Sequence, residues 1–155
     1  MDGYETLKFF HILMAIVWVG GAIYAQILAT RALASGSPGK LADTIEDVAW
    51  IGPRIFTPAS FILVVVGFVM LADDKYPWEV GDTWIVLALI GFAATFLTGT
   101  LFFGPESGRI AKLSEERGRE DPQVQERIAR FLRATRIDLV VLILVVLDMV
   151  AKPGL

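Results

Sequence analysis

The chain has no cysteine and a single histidine, His11, in 155 residues. Without thiols there are no disulfides, thiolate zinc sites, cysteine-ligated iron–sulfur clusters or S-acylation. With one histidine, a multi-histidine metal site within one chain is excluded. Charge is also scarce. Asp, Glu, Lys and Arg together make up 20%, against about 25% in an ordinary soluble domain. The net charge of −3 weighs against nucleic acid as a partner. No nucleophile–base pair, phosphate-binding loop, dinucleotide fingerprint or zinc-protease motif is present, so no catalytic residue is assigned. No basic segment precedes the first apolar run, since Asp2 and Glu5 stand there. No small-residue cleavage site follows a short apolar core either. The run is therefore expected to be retained rather than removed as a signal peptide.

What is abundant is apolar: 55% of the residues are hydrophobic. A chain this short cannot bury that surplus in one aqueous core, so lipid is the expected solvent. Apolar runs predict spans over about 7–29, 55–72, 84–104 and 132–151. The first three fit the roughly 17–25 residues that a spanning helix needs. The fourth is uninterrupted only over 139–147 and borrows length from a helix ahead of it. The expected fold is all-α: an integral membrane four-helix bundle in one transmembrane domain, 1–155, with amphipathic helical connections in the cytoplasm.

Orientation is read from Lys and Arg. Eleven of the fourteen lie in the first and third connections, from Arg31 to Arg54 and from Arg109 to Arg136. Lys8, Lys75 and Lys152 lie on the other side. Both long connections are thus expected in the cytoplasm and both termini outside, in a bacterial inner membrane. The second connection, 73–83, is acidic (Asp73, Asp74, Glu79, Asp82) and bears Tyr76 and Trp78, with Trp84 following. These rings suit a headgroup belt. Within the first connection, Leu41, Ile45, Val48 and Ala49 fall at helical spacing opposite Asp43, Glu46 and Asp47. A short interfacial helix is expected there, ended by Gly52-Pro53. In the third, Asp121-Pro122 opens a helix that runs into the fourth span, and Gly104-Pro105 marks a kink or break.

Small residues define the inward faces. His11, Ala15, Trp18, Ala22, Ala25 and Ala29 form one stripe of the first helix, and Gly91, Thr95 and Gly99 one of the third. Such stripes let helices pack closely in lipid. Asp138, Val141, Val145, Asp148 and Lys152 run along one side of the fourth.

The polar intramembrane residues are the candidates for chemistry. His11 lies about 30 Å above Arg31 at 1.5 Å per residue, near the outer edge of the hydrocarbon. It reads either as an interfacial imidazole or as an axial heme or metal ligand. Met14, Met70 and Met149 lie in the outer halves of three helices and would suit Cu(I) beside it. Asp148 stands about 18 Å above Arg136. There it is either a partner for Lys152 in a thinned bilayer, or a proton- or cation-binding carboxylate facing the interior. Gln26, Arg31, Arg54, Arg136 and Asp138 gather near the cytoplasmic face, where Arg–Asp pairing would lock helix ends or receive an anionic group.

The stretch Leu7-Lys8-Phe9-Phe10-His11-Ile12-Leu13, continued by Val17-Trp18-Val19-Gly20-Gly21, resembles a bacterial group of four-span membrane proteins of unknown function. That group is related to the membrane domain of copper-resistance protein D. More distantly the chain is similar to the small oxygen-independent protoporphyrinogen oxidases. His11, Trp18, Gly21, Thr57-Pro58 and the basic stretch from Arg109 to Lys112 carry the likeness over all four spans. The resemblance implies a heme or porphyrin held through His11 alone; Trp18 and Met14, on the same helix, are candidate cofactor-contacting residues beside it. The lysine and second histidine of the oxidases are absent from Trp84-Ile85-Val86-Leu87-Ala88-Leu89. Two other readings stand beside a heme protein. One is a noncatalytic accessory subunit docking a membrane protein partner or a second copy of itself. The other is a small metal-handling or transport protein using Asp148 and the methionines.

Overall fold

The computed structural model describes residues 2–73 and 76–154. Asp74 and Lys75 of the acidic connection lie outside the described residues, as do Met1 and Leu155. Six α-helices follow in order: α1 Gly3–Ala34, α2 Pro38–Ile51, α3 Thr57–Leu71, α4 Thr83–Leu97, α5 Gly104–Arg117 and α6 Pro122–Ala151. Among the described residues there is no strand. Helix α1 starts on a capping box: Asp2 Oδ1 accepts from the Glu5 amide at 2.8 Å, and Glu5 Oε2 accepts from the Asp2 amide at 3.1 Å. Such reciprocal pairs satisfy N-terminal amides that have no partner within the helix. Asp121 caps α6 as expected, its carboxylate accepting from the Gln123 amide. Gly36 and Gly118, both at positive φ, turn the chain sharply after α1 and α5. Glycine reaches that region without a Cβ penalty.

The helix end expected at Gly52-Pro53 is absent, and the kink or break expected at Gly104-Pro105 takes the form of a π-helical segment just before it. α2 does not stop at Gly52-Pro53; it passes through a π-helical segment, Gly52–Phe56, into α3. Likewise α4 continues through a π-helical segment, Thr98–Phe103, into α5, which carries Pro105 in its first turn. Proline clashes with the carbonyl four residues earlier in a regular helix. A wider turn gives the ring room, so the helix bulges instead of ending.

Among the described residues, three helical stretches are long and apolar enough to cross a membrane: Gly3–Ala34, Gly39–Leu71 and Thr83–Arg117. α6 is of similar length but carries Arg136, Asp138 and Asp148 in its apolar half. α1 packs on α3 and α6, and α4 packs on α6. Many large side chains of the apolar parts point outward, among them Ile16, Phe61, Ile90, Leu101 and Val150. That is the pattern of helices solvated by hydrocarbon.

The tightest core sits elsewhere, in a polar layer built from α2, α5, the first half of α6 and the end of α1. There Leu41, Ile45, Ile110, Val124, Ile128 and Phe131 are buried together. These helices are amphipathic, and their apolar faces are turned into this layer. Ion pairs tie the layer. Glu106, almost wholly buried, accepts from Arg127 at 2.7 Å and from Arg109 at 3.4 Å. Arg119 bridges Asp43 at 2.7 Å and donates to the Gly39 carbonyl.

Candidate functional site

Between the polar layer and the apolar helices lies a chamber of about 520 Å³. Every helix contributes to its wall. α1 supplies Trp18, Ala22, Ala25, Gln26 and Ala29, because spacings of three and four place them on one face. The two π-helical segments flank it through Gly52, Phe56, Gly99 and Phe103. Trp18 meets Phe92 edge-on at 5.5 Å, and Phe103 meets Phe131 likewise at 5.4 Å. The small-residue stripes, expected to bring helices together, do so only in part. Gly91 packs directly on Val145. Farther along the same helix, Gly99 has open space where a Cβ would stand. Around Ala22, Ala25 and Gly99 the small residues leave volume, since their facing walls are held apart by Phe56, Phe96 and Phe103.

The chamber's hydroxyls are satisfied by their own helices. Thr95 donates to the Gly91 and Phe92 carbonyls, Ser60 to that of Thr57 and Ser107 to that of Gly104. Gln26 crosses from α1 to α6, its Nε2 donating to Thr135 Oγ1 at 2.6 Å, and the Thr135 hydroxyl in turn donates to the Leu132 carbonyl. Asp138 is the one ionisable residue lining the chamber. Among the described residues its carboxylate forms no ion pair. The expected Arg–Asp lock is therefore not formed. Arg54 folds back along its own helix, its guanidinium 4.3 Å from the Trp50 ring and bonded to the Trp50 carbonyl. Arg136 projects outward, away from the chamber lining.

His11 does not line the chamber. Its Nδ1 lies 3.0 Å from the Leu63 carbonyl on α3. A carbonyl only accepts, so Nδ1 carries the proton and Nε2 the lone pair. Gly67 makes the approach possible: a Cβ there would stand 3.2 Å from His11 Cε1. Met14 follows on the same helix, partly buried. Among the described residues no three His, Asp or Glu side chains converge to hold a metal ion.

At the opposite pole, Asp148 has both carboxylate oxygens buried without a hydrogen-bond partner, so it turns inward from lipid. The expected pairing with Lys152 is absent. α6 ends with Lys152 in the left-handed region, φ 44 and ψ 62, and this turn swings the ammonium over Trp78 at 3.5 Å and toward Trp84 at 4.9 Å. Tyr76 stacks on Trp78 at 4.6 Å, and Tyr4 meets Tyr76 at 5.1 Å. Burial, and secondarily the charge of Lys8, hold the Lys152 amine below the usual lysine range. The buried Trp84 Nε1 likewise has no acceptor.

Compared with known families, residues 5–153 match the one described as predicted integral membrane protein (DUF2269). The chain belongs to that family. The match runs from the first turns of α1 past the end of α6, so chamber, polar layer and aromatic pole all lie inside the shared region. No curated protein and no solved structure matches the chain. Membership makes it an integral membrane protein in contact with the lipid bilayer, and leaves its role to be argued from the chamber.

Sequence reasoning singled out Trp18, Gln26 and Asp138, and the structure gathers all three around the chamber. It read Thr95 only as part of a packing stripe, and it did not single out Ser60, Phe56 or Glu106. Apolar surroundings for Thr95 and a helix-start position for Glu106 were visible in the sequence, but the facing residues were not.

Proposed function

We propose that all four long helices cross the bilayer and enclose a binding chamber for an amphipathic, mainly apolar small molecule. The observation that carries this reading is the unpaired Asp138 carboxylate in a chamber of about 520 Å³, within the range of small-molecule sites. An intramembrane carboxylate facing a cavity is costly unless something uses it. Asp138 and the Gln26–Thr135 pair offer hydrogen-bond acceptors at one wall, so the ligand is a lipophile bearing a hydroxyl, amine or ring N–H donor. The chamber wall holds no His, Met, Tyr, Lys or Cys, so it does not fit a metalloporphyrin that needs an axial ligand from it. Gly99→Leu projects into open space and is expected to abolish copurification of the lipophile, read by mass spectrometry of solvent extracts, while leaving the melting temperature within about 2 °C. Unchanged copurification sinks the chamber reading.

The fourth crossing is supported by how α6 places its charges. Asp148 turns its oxygens inward and Asp138 lines the chamber, so neither carboxylate meets hydrocarbon. The polar layer carries the eleven clustered basic residues, which supports a cytoplasmic position with both termini outside a bacterial plasma membrane. A reporter fused after Leu155 is then expected to be active outside; activity inside reverses the topology.

A second reading, heme bound through His11, is favoured by one observation. Anchoring Nδ1–H on the Leu63 carbonyl frees Nε2 and fixes the ring, as in many ligating histidines. His11 Nε2 would be this chain's ligand to the group, and Met14, on the same face of the same helix, would stand beside it. Bound heme would supply redox chemistry at the outer edge of the membrane. His11→Ala is expected to remove a Soret band from protein reconstituted with hemin. A wild-type protein without that band removes this reading and leaves the chamber untouched.

A further inference from the structure

A second recess, of about 270 Å³, opens where the ends of α1 and α2 meet α6. Leu33, Leu41 and Leu132 form its apolar part, and Gln125, Arg133 and Arg136 its polar part. Leu132 separates it from the large chamber, whose wall it also joins.

The charges on α6 are divided unevenly. Arg127 is paired with Glu106, and Arg130 with Glu126 at 3.0 Å. Farther along the helix no carboxylate follows until Asp138, which lines the other cavity. Arg133 and Arg136 thus have no ion pair among the described residues, and both line the recess. Three residues apart, they lie on one face about 5–6 Å from each other. Their depth is also defined. Arg136 stands about 4.5 Å before Leu139, where the uninterrupted apolar run begins. That is the level of lipid phosphates rather than of bulk water.

We infer that this recess binds the phosphate headgroup of an anionic phospholipid, with Arg133 and Arg136 on the phosphate and the leucines against the first acyl carbons. Guanidinium groups match phosphate oxygens with two parallel hydrogen bonds each. Arginines without protein partners have that capacity unused, and an apolar surface beside them selects a lipid over a free anion.

The test uses the full chain in detergent, with unfolding followed by tryptophan fluorescence. Phosphatidylglycerol is expected to raise the melting temperature, whereas phosphatidylcholine and inorganic phosphate at the same concentration leave it unchanged. Arg133→Gln with Arg136→Gln is expected to weaken the phosphatidylglycerol response about tenfold. Lys112→Gln with Arg130→Gln removes the same charge from exposed pairs, and is expected to weaken it by no more than about twofold. Equal losses in the two double variants would mean general attraction to a basic surface and overturn the site. Equal stabilisation by inorganic phosphate would overturn the lipid assignment. Delipidated wild-type protein offered equal amounts of phosphatidylglycerol and phosphatidylcholine gives a readout that needs no variant. Native mass spectra are expected to retain the anionic lipid alone, and retention of both in proportion overturns the proposal.

Discussion

Ile128→Ala is expected to destabilise the protein by about 3 kcal/mol, while Val150→Ala on the same helix changes stability by less than about 0.5 kcal/mol. Both residues are aliphatic, but Ile128 is 1% exposed and Val150 is 77% exposed. Ile128 sits among Ile110, Val124 and Phe131 in the polar layer, where removing methyl groups both forfeits burial from water and leaves a cavity. Val150 projects from the apolar half of α6. Lipid or detergent tails solvate it equally well in folded and separated helices, so truncation removes little. Unfolding titrations of the two variants in one detergent measure the difference. Similar losses would mean that the core of this protein is not in its polar layer.

Gly91→Leu is expected to cost about 3 kcal/mol, although leucine is the better helix former by close to 1 kcal/mol. A Cβ at Gly91 would collide with Val145 Cγ2 and lie 3.9 Å from Val141 Cγ1. α4 and α6 must then move apart along the contact that holds α6 to the bundle. Valine has few χ1 escapes in a helix, so backbone displacement is the main relief. Val145→Ala in the same chain is expected to restore about half of the loss, because the two sites share one contact. A Cβ at Gly99, eight residues along, would meet nothing within 4 Å, so Gly99→Leu serves as the control. Equal destabilisation at 91 and 99 would contradict both the close contact and the chamber.

The contrast between Gly91 and Gly99 also marks where sequence reading stops. Period and composition located the helices well, since apolar runs, the Asp121-Pro122 start and the amphipathic spacing of α2 are local signals. Whether a small residue closes a contact or borders a void depends on the residue opposite it. Val145 faces Gly91, whereas Gly99 faces open space, and no local signal separates the two. Gly104-Pro105 read as a kink or a break because proline disturbs regular helices; which of the two it is depends on the π-helical detour, which accommodates the ring without ending the helix. Asp148 and Lys152 sit one turn apart and read either as a pair or as an inward-facing carboxylate apart from the lysine. The left-handed turn at Lys152 sends its ammonium to Trp78 and Trp84 instead, rings that belong to a distant part of the sequence. Glu106 carries no local signal of its role, because its burial depends on Arg127 arriving from α6.

The π-helical detours at Gly52–Phe56 and Thr98–Phe103 have a consequence for how relatives of this chain can diverge in length. Each detour accommodates an extra residue, and one residue turns everything beyond it by about 100° around the helix axis. The detours stand where the two-faced helices α2 and α5 join the uniformly apolar α3 and α4. The buried edge of α2 is therefore phased against α3 by the count of residues between them, and α5 against α4 in the same way. Deleting one residue from either detour would rotate Leu41 and Ile45, or Ile110, out of the layer they help to fill. Insertions and deletions are tolerated instead at Gly36 and Gly118, where the chain leaves the helix altogether and no rotation is passed on.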